Sequence, residues 1–204
     1  SEQLDELKFP LHFIDYETYA SAVPRIDGMR PHRHVPFQVS IHTMHKNGEV
    51  EHFEYLAEKL ELPDKLVKFM QDSTGTTGTF ISWRASFEIG RNREMIVMYP
   101  QHTDYLKYQN EHMFDLEKIF MMDYVDYRFK GSTSIKNVLP VLLPELSYKD
   151  LDVQNGTMAL DLWGRMVLDS EFSEDKELTR KNLLDYCKLD TWAMVEIYRV
   201  LNNL

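Results

Sequence analysis

The chain has 204 residues, 43% of them hydrophobic, which is enough for one well-cored domain and too many for a disordered segment. With 33 acidic and 23 basic side chains its formal net charge is −10, which argues against a surface built to hold long nucleic acid by phosphate contacts unless carboxylates gathered around divalent cations inflate the count. The single cysteine, Cys187, excludes an intrachain disulfide framework and a cysteine-rich zinc site.

A reducing, cytoplasmic home is the default for such cysteine usage. No run reaches the length of a membrane span, and no N-terminal stretch reads as a secretory signal. The whole chain, residues 1–204, reads as a single domain, and an opening Ser1 rather than Met suggests excision from a longer polypeptide.

In chain order, "LHFIDYET" predicts a buried strand that turns polar at its end. "VPFQVSIHTMHK" alternates Val35, Phe37, Val39 and Ile41 with polar neighbours, the pattern of a half-buried strand. Asn47-Gly48 predicts a two-residue hairpin turn into the strand of "NGEVEHFEYLA". "LPDKLVKFMQ" has helical spacing with a Pro63-Asp64 start, "STGTTG" is a loop, and "TFISW" a short buried strand. Helical patterns then dominate: "SFEIGRNREMIVMYP" up to Pro100, the stretch around "TDYLKYQNEH", and "FDLEKIFMMDYV", read as a short strand entering a helix. Ser132 and Ser134 are N-cap candidates for the helix of "SIKNVLPVLLPEL", followed by "NGTMALDLWGRMVLDS" and a long final helix from "DKELTRKN". A hairpin, a helix, another strand and then helices predict an α/β fold with a mixed sheet and helices packed on its faces.

Asp15 and Glu17 stand two apart on the first strand, so both carboxylates emerge on one face at its end. Two such charges repel unless a cation or proton lies between them, and hard divalent cations take oxygen ligands, so the pair makes half of a metal site. Asp-x-Glu alone says little, since it recurs at Asp115/Glu117 and at Asp175/Glu177. In the last helix Tyr186 and Asp190 lie four apart, one turn from each other on one face. The same spacing recurs at Tyr148/Asp152, within the loop-like "SYKDLD". His32 and His34 of "RPHRHVP" read as an exposed basic turn rather than a metal site.

An Asp-x-Glu closing the first strand and a Tyr-x-x-x-Asp on a late helix resemble the first and last motifs of DEDD-type 3′–5′ exonucleases, ribonuclease H-like and DnaQ-like folds. The tyrosine marks the DEDDy subclass; a sister subclass would have a histidine where this chain has Asp185. That superfamily's middle motif is Asn, two or three residues, then Phe/Tyr-Asp after a central strand, and "FISWRASFEIGRN" occupies that place. More closely, "SWRASFEIGRN", "FDLEKIF", "GSTSIKNVLPVLLPELSYKDL", "NGTMA" and "YCKLDTWAMVEIYRVL" resemble the bacterial DUF2779 family over nearly the whole chain.

The resemblance implies a mixed central sheet of about five strands flanked by helices on both faces. It also implies hydrolysis of a phosphodiester by two divalent ions, Mg²⁺ or Mn²⁺. Asp15, Glu17, Glu88 and Asp190 would be the metal ligands, with Asp15 bridging both ions, and Tyr186 would orient the attacking water. Glu88 and Arg84 depart from the wider superfamily's Asp and Asn. A guanidinium at position 84 would either contact a phosphate or compete with the cations. Lys136, near a helix start, is a phosphate candidate, and Trp83 and Phe87 are candidates to stack a terminal base or else core residues. The implied partner is a single-stranded DNA or RNA end, with no membrane; a further nuclease or repair-type domain in the parent polypeptide is also implied. Two alternatives stay open: a catalytically impaired domain of the same fold that binds nucleic acid or a protein partner, and a phosphodiesterase for oligonucleotides or nucleotides.

Overall fold

The computed structural model describes residues 2–27 and 29–203. Five strands form one mixed sheet in the order β3-β2-β1-β4-β5. They are β1 (Leu11–Tyr19), β2 (Val35–Met44), β3 (Val50–Leu56), β4 (Thr79–Ser82) and β5 (Met113–Asp115). β1, the middle strand, pairs antiparallel with β2 and parallel with β4, β2 pairs antiparallel with β3, and β4 pairs parallel with β5, so β2 alone is reversed. The parallel pairings require crossovers, which helices supply. After a short α1 (Glu2–Asp5), α2 (Asp64–Thr74) leads into β4, and α3 (Ser86–Met98) with α4 (Thr103–Glu111) leads into β5. α5 (Glu117–Met122), α6 (Ile135–Leu142), α7 (Gly156–Leu168) and α8 (Lys176–Asn202) follow. Among the described residues no helix is long and apolar enough to cross a membrane.

Alternation along β1 divides the interior in two. Ile14 and Tyr16 face Leu66, Met70, Met95 and Leu106 on the side of α2, α3 and α4. Leu11 and Phe13 face Leu139, Trp163, Leu183 and Met194 on the side of α6, α7 and α8. Full burial of side chains of this size is worth about 1.5–3 kcal/mol each, and both faces of the strand gain it. Asp15 and Glu17 continue the Leu11/Phe13 row, so strand periodicity aims them at α7 and α8.

β2 differs from its expected half-burial, because every one of its residues is buried. Its polar row lies under α8 and bonds to it: Gln38 Nε2 donates to Leu183 O at 2.8 Å, and Ser40 Oγ and His42 Nδ1 each lie 2.8 Å from Thr191 Oγ1, while Gln38 Oε1 is buried without a partner. The register slips opposite Glu17 and Thr18, leaving Phe37 as the extra residue of a bulge, and Phe37 stacks on Trp163 with centroids 4.3 Å apart. The hairpin is also wider than a two-residue turn. His45 N–H donates to Glu49 O at 2.8 Å, so Lys46, Asn47 and Gly48 form the loop, with Gly48 at φ +89°. Ser134 occupies the N-cap position of α6 but its hydroxyl makes no capping bond, while the Ser132 hydroxyl accepts from Ser134 N–H at 3.3 Å.

Candidate functional site

Asp15 and Glu17 of β1 meet Asp190 of α8, each offering a carboxylate oxygen, and these oxygens all lie within 4.8 Å of one another. The two ends of the chain are thereby joined, 175 residues from Asp15 to Asp190 by subtraction of their numbers. Glu17 and Asp190 are buried; Asp15 is half-buried by exposed area yet surrounded by protein on nearly all sides. Glu88, in the first turn of α3, is buried beside this trio, and its charge acts on both Asp15 and Glu17. It does not join the tight group of three, and its Oε2 has no hydrogen-bond partner, nor does Ser82 Oγ.

The electrostatics are those of crowded acids out of water. Burial first, then the charges of Asp190, Glu17 and Glu88, hold the Asp15 carboxyl well above the usual range, against a weak Cys187 thiol bond. Glu17 is pushed up to about 8 by burial and by Asp190, with the charge of Lys136 opposing. Glu88 is raised to about 7, chiefly by burial. Asp190 is raised only to about 6, because the Tyr148 hydroxyl, the Lys136 charge and the Tyr186 hydroxyl offset its burial. Tyr186, one turn before Asp190, is buried among these carboxylates and stays firmly protonated.

Three surrounding residues were not singled out by their sequence signals. The Tyr148 hydroxyl donates to Asp190 Oδ1 at 2.5 Å, although its Tyr-x-x-x-Asp spacing to Asp152 is unrelated to this role; Asp152 accepts instead from Asn182 Nδ2 at 2.9 Å. The Cys187 thiol points at Asp15, 3.6 Å from Oδ2. Gly156 opens α7 so close to Glu17 that a Cβ there would lie 3.3 Å from Oε2. The helix start is capped by Asn155, whose Oδ1 accepts from Met158 N–H, and its dipole favours the carboxylate before it. Only membership of the strings "LSYKDL" and "NGTMA" marked Tyr148 and Gly156 in advance.

Lys136 lies in this site. Its Nζ donates to Gln154 O at 2.6 Å and sits 5.4 Å above the ring centroids of both Tyr148 and Tyr186. Arg84 is turned elsewhere: its Nε and Nη2 grip Glu117 at 3.0 and 2.9 Å, and its backbone N–H donates to Asp115 Oδ1 at 3.0 Å. Its φ of +64° is a left-handed conformation that a non-glycine residue adopts at a cost, and these bonds hold it there. Trp83 is half-buried, stacks on Phe120 with centroids 5.3 Å apart, and donates Nε1 to Thr133 O. Phe87 is exposed at the other side of Glu88's helix turn, under the Arg91 guanidinium and edge-on to His34. His34 Nδ1 is bound to Thr18 Oγ1 at 2.7 Å.

An all-oxygen donor set of three converging acids, with a fourth whose outer oxygen is unpartnered, fits a hard divalent cation and does not fit a soft one. The fold and the site together define an α/β domain with a buried carboxylate cluster at the end of its middle strand.

The chain belongs to the family described as Domain of unknown function (DUF2779), whose model matches residues 12–134. Over 94% of its length it is 28% identical to an uncharacterized protein MG366 homolog of Mycoplasma pneumoniae, and over 98% it is 23% identical to the uncharacterized protein MG366 of Mycoplasma genitalium. It spans about a third of the length of these curated relatives, 32% and 33%. No solved structure matches the chain.

Proposed function

We propose that this domain has a ribonuclease H-like fold and is a metal-dependent phosphodiesterase, a DEDDy-type 3′–5′ exonuclease acting on single-stranded DNA or RNA ends. The observation that carries the reading is the convergence of Asp15, Glu17 and Asp190, three carboxylates within 4.8 Å that a hydrophobic core has no use for. Asp15, Glu17 and Asp190, with Glu88 beside them, would hold two Mg²⁺ or Mn²⁺ ions, which when bound stabilise the negative charge on the attacking and departing oxygens of an in-line displacement.

The chain's own residues account for the rest. Asp15, which feels the charges of all three other acids, would be a ligand of the cations. Tyr148 fixes the rotamer of Asp190 through its 2.5 Å bond. Tyr186, kept protonated, donates a hydrogen bond that orients the attacking water. The Lys136 ammonium, tied to Gln154, faces the incoming phosphate, whose negative charge the carboxylates would otherwise repel. Water adds to phosphorus, the bond to the 3′-oxygen breaks, and the proton lost by the water balances the one gained by that oxygen. The ion pair of Arg84 with Glu117 supports the reading, since a guanidinium engaged there would not compete for the cations.

The test is an end-labelled single strand incubated with purified protein and Mn²⁺ or chelator. Stepwise shortening from the 3′ end is expected with Mn²⁺, and none with chelator or with Asp15→Asn. Intact substrate under every divalent ion overturns the reading in favour of a non-catalytic binding domain. The net charge of −10 favours the narrower form in which short oligonucleotides are preferred, read by comparing rates across substrate lengths.

A further inference from the structure

The connection from α6 to α7 folds back against Lys136 and borders a cavity of about 310 Å³. Small-molecule sites start at roughly 300 Å³, so there is room for one small ligand and not for a length of polymer. Leu139 and Pro140 of α6 form one wall, and Pro144 and Leu146 of the connection form another. The charged lining is Lys136 and Lys149, with no carboxylate, in a chain of −10. Among the described residues neither lysine is in an ion pair. The larger hollow beside α7 and α8 is the opposite: Asp152, Asp161, Glu174 and Asp175 line it, and they would repel an anion.

The walls are set before any ligand arrives. Gln154 Nε2 donates to Leu151 O at 3.0 Å and to Lys149 O at 3.3 Å, and Gln154 O accepts from Lys136 Nζ at 2.6 Å. Ser147 Oγ accepts from Lys149 N–H at 3.1 Å. A wall fixed in this way spares binding much of its ordering cost. The cavity also shares two residues with the carboxylate cluster. Tyr148 lines it and donates its hydroxyl to Asp190 Oδ1 at 2.5 Å, and Lys136 lines it while its charge reaches Glu17 and Asp190. A phosphate held at the cluster beside Lys136 would therefore carry its substituent at this cavity. The proline and leucine faces suit a flat base, and the two ammoniums suit the charge attached to it. We propose that the cavity seats the 3′-terminal nucleoside of the substrate. The identity of the ligand rests on the cleavage reading above. Room for a single unit selects the chain end, because an internal nucleoside continues on both sides, and the mononucleotide left after cleavage still fits.

The experiment is a calorimetric titration of thymidine 5′-monophosphate, which has no diester to cleave, into wild type, Leu146→Trp and Lys149→Glu in the presence of Mn²⁺. Inorganic phosphate is titrated in parallel. Wild type is expected to bind the nucleotide. Leu146→Trp, which puts an indole into the cavity, is expected to weaken nucleotide binding about tenfold or more while leaving phosphate within about twofold. Lys149→Glu reverses a charge at an exposed position and is expected to weaken the nucleotide about threefold, and it decides the matter if the tryptophan variant does not fold. No nucleotide binding to wild type overturns the proposal. So does wild-type nucleotide affinity in a folded Leu146→Trp protein, or in Lys149→Glu should the other not fold. An equal loss of phosphate and nucleotide in Leu146→Trp also overturns it, because the change would then act through Lys136 and not through the cavity. If wild type cleaves no strand but the variants lose the nucleotide, the cleavage reading falls and the nucleoside cavity stands. If wild type cleaves and the variants bind the nucleotide as it does, the cavity falls and the cleavage reading stands.

Discussion

The Tyr148 hydroxyl donates to Asp190 Oδ1 at 2.5 Å, tying the loop behind α6 to the last helix at a carboxylate that burial raises only to about 6 because this bond and the Lys136 charge oppose it. A neutral donor on a buried carboxylate favours its charged form, which is the form that ligates a cation. Tyr148→Phe removes that donor and little else. Losing an outer partner of a ligand typically costs about 10–100-fold in metal affinity or activity. Calorimetric titration with Mn²⁺ is expected to show a weakening in that range, with the melting temperature of the metal-free protein changed by only a few degrees, about 2–4 °C per kcal/mol at this chain length. Unchanged Mn²⁺ affinity would remove Tyr148 from the site.

Repulsion within the trio makes a second prediction about stability itself. Each ionised carboxylate in the cluster raises its neighbours, so the metal-free fold carries an electrostatic burden that serves no packing purpose. Asp15→Asn keeps the shape and removes one charge. The metal-free variant is expected to melt at or above the wild-type temperature while losing activity, the trade-off seen where a site is built for function rather than stability. A variant that melts well below wild type would make Asp15 a structural residue.

The sheet and the first-to-last pairing were legible because they rest on periodicity. Period two aimed Asp15 and Glu17 at one face, and a one-turn spacing put Tyr186 beside Asp190. Other features depended on long-range contact and left no local trace. Tyr148 meets Asp190 across 42 residues, and its apparent partner at Asp152 is coincidence. Burial of β2 on both faces also escaped its alternating pattern, because Gln38, Ser40 and His42 are polar yet each bonds to α8. Arg84, expected near the metals, is explained by an Asp115/Glu117 pair that the sequence offered only as a repeat of a weak motif.

The carboxylates give a pH dependence of definite sign. In the folded chain Glu17 holds its proton to about pH 8 and Glu88 to about 7, whereas an unfolded glutamate releases it near 4.5. Within that window the folded state binds more protons than the unfolded one, so stability falls as pH rises. His12, His42 and His52, lowered by burial to about 4, 3 and 4, act in the opposite direction, but only below their ordinary 6.5. From about pH 7 to 8, where even the unfolded histidines have mostly lost their protons, the acids dominate the slope, at up to about 1.4 kcal/mol per pH unit for each proton retained. The metal-free melting temperature is therefore expected to fall across this interval, less steeply in Glu17→Gln, and saturating Mn²⁺ should flatten the fall because it binds the deprotonated site. A flat metal-free curve would contradict the raised carboxyls.

Arg84 tests whether the guanidinium is outside the metal site. Arg84→Asn accepts the left-handed backbone more readily and loses both bonds to Glu117, leaving that buried carboxylate with Thr133 Oγ1 at 2.9 Å. An unfulfilled buried acceptor costs about 1–3 kcal/mol, partly offset by the relief at φ +64°. A modest fall in melting temperature is expected, with Mn²⁺ affinity within about twofold of wild type, under 0.5 kcal/mol. Much tighter Mn²⁺ binding in the variant would mean that the guanidinium does compete with the cations.

Two glycines separate function from fold by the atoms a methyl group would meet. At Gly78, φ is +73° and a Cβ would fall 1.9 Å from the Pro10 carbonyl oxygen, beside the Thr79 N–H bond to that same oxygen that starts the β1–β4 pairing. Neither backbone can yield without breaking the pairing, so Gly78→Ala is expected to destabilise by at least about 2–3 kcal/mol, read by urea unfolding. At Gly156 the backbone accepts alanine, which restricts the unfolded chain and is worth about 0.4–1 kcal/mol where no clash opposes it. The methyl would press at 3.3 Å on Glu17 Oε2, a carboxylate that must give by a few tenths of an ångström. Since a 1 Å misplacement at reacting groups costs about 100-fold, Gly156→Ala is expected to lower Mn²⁺-dependent cleavage roughly tenfold at unchanged or slightly raised stability. Full activity in a stably folded Gly156→Ala protein would show that the position of Glu17 is not what the reaction depends on.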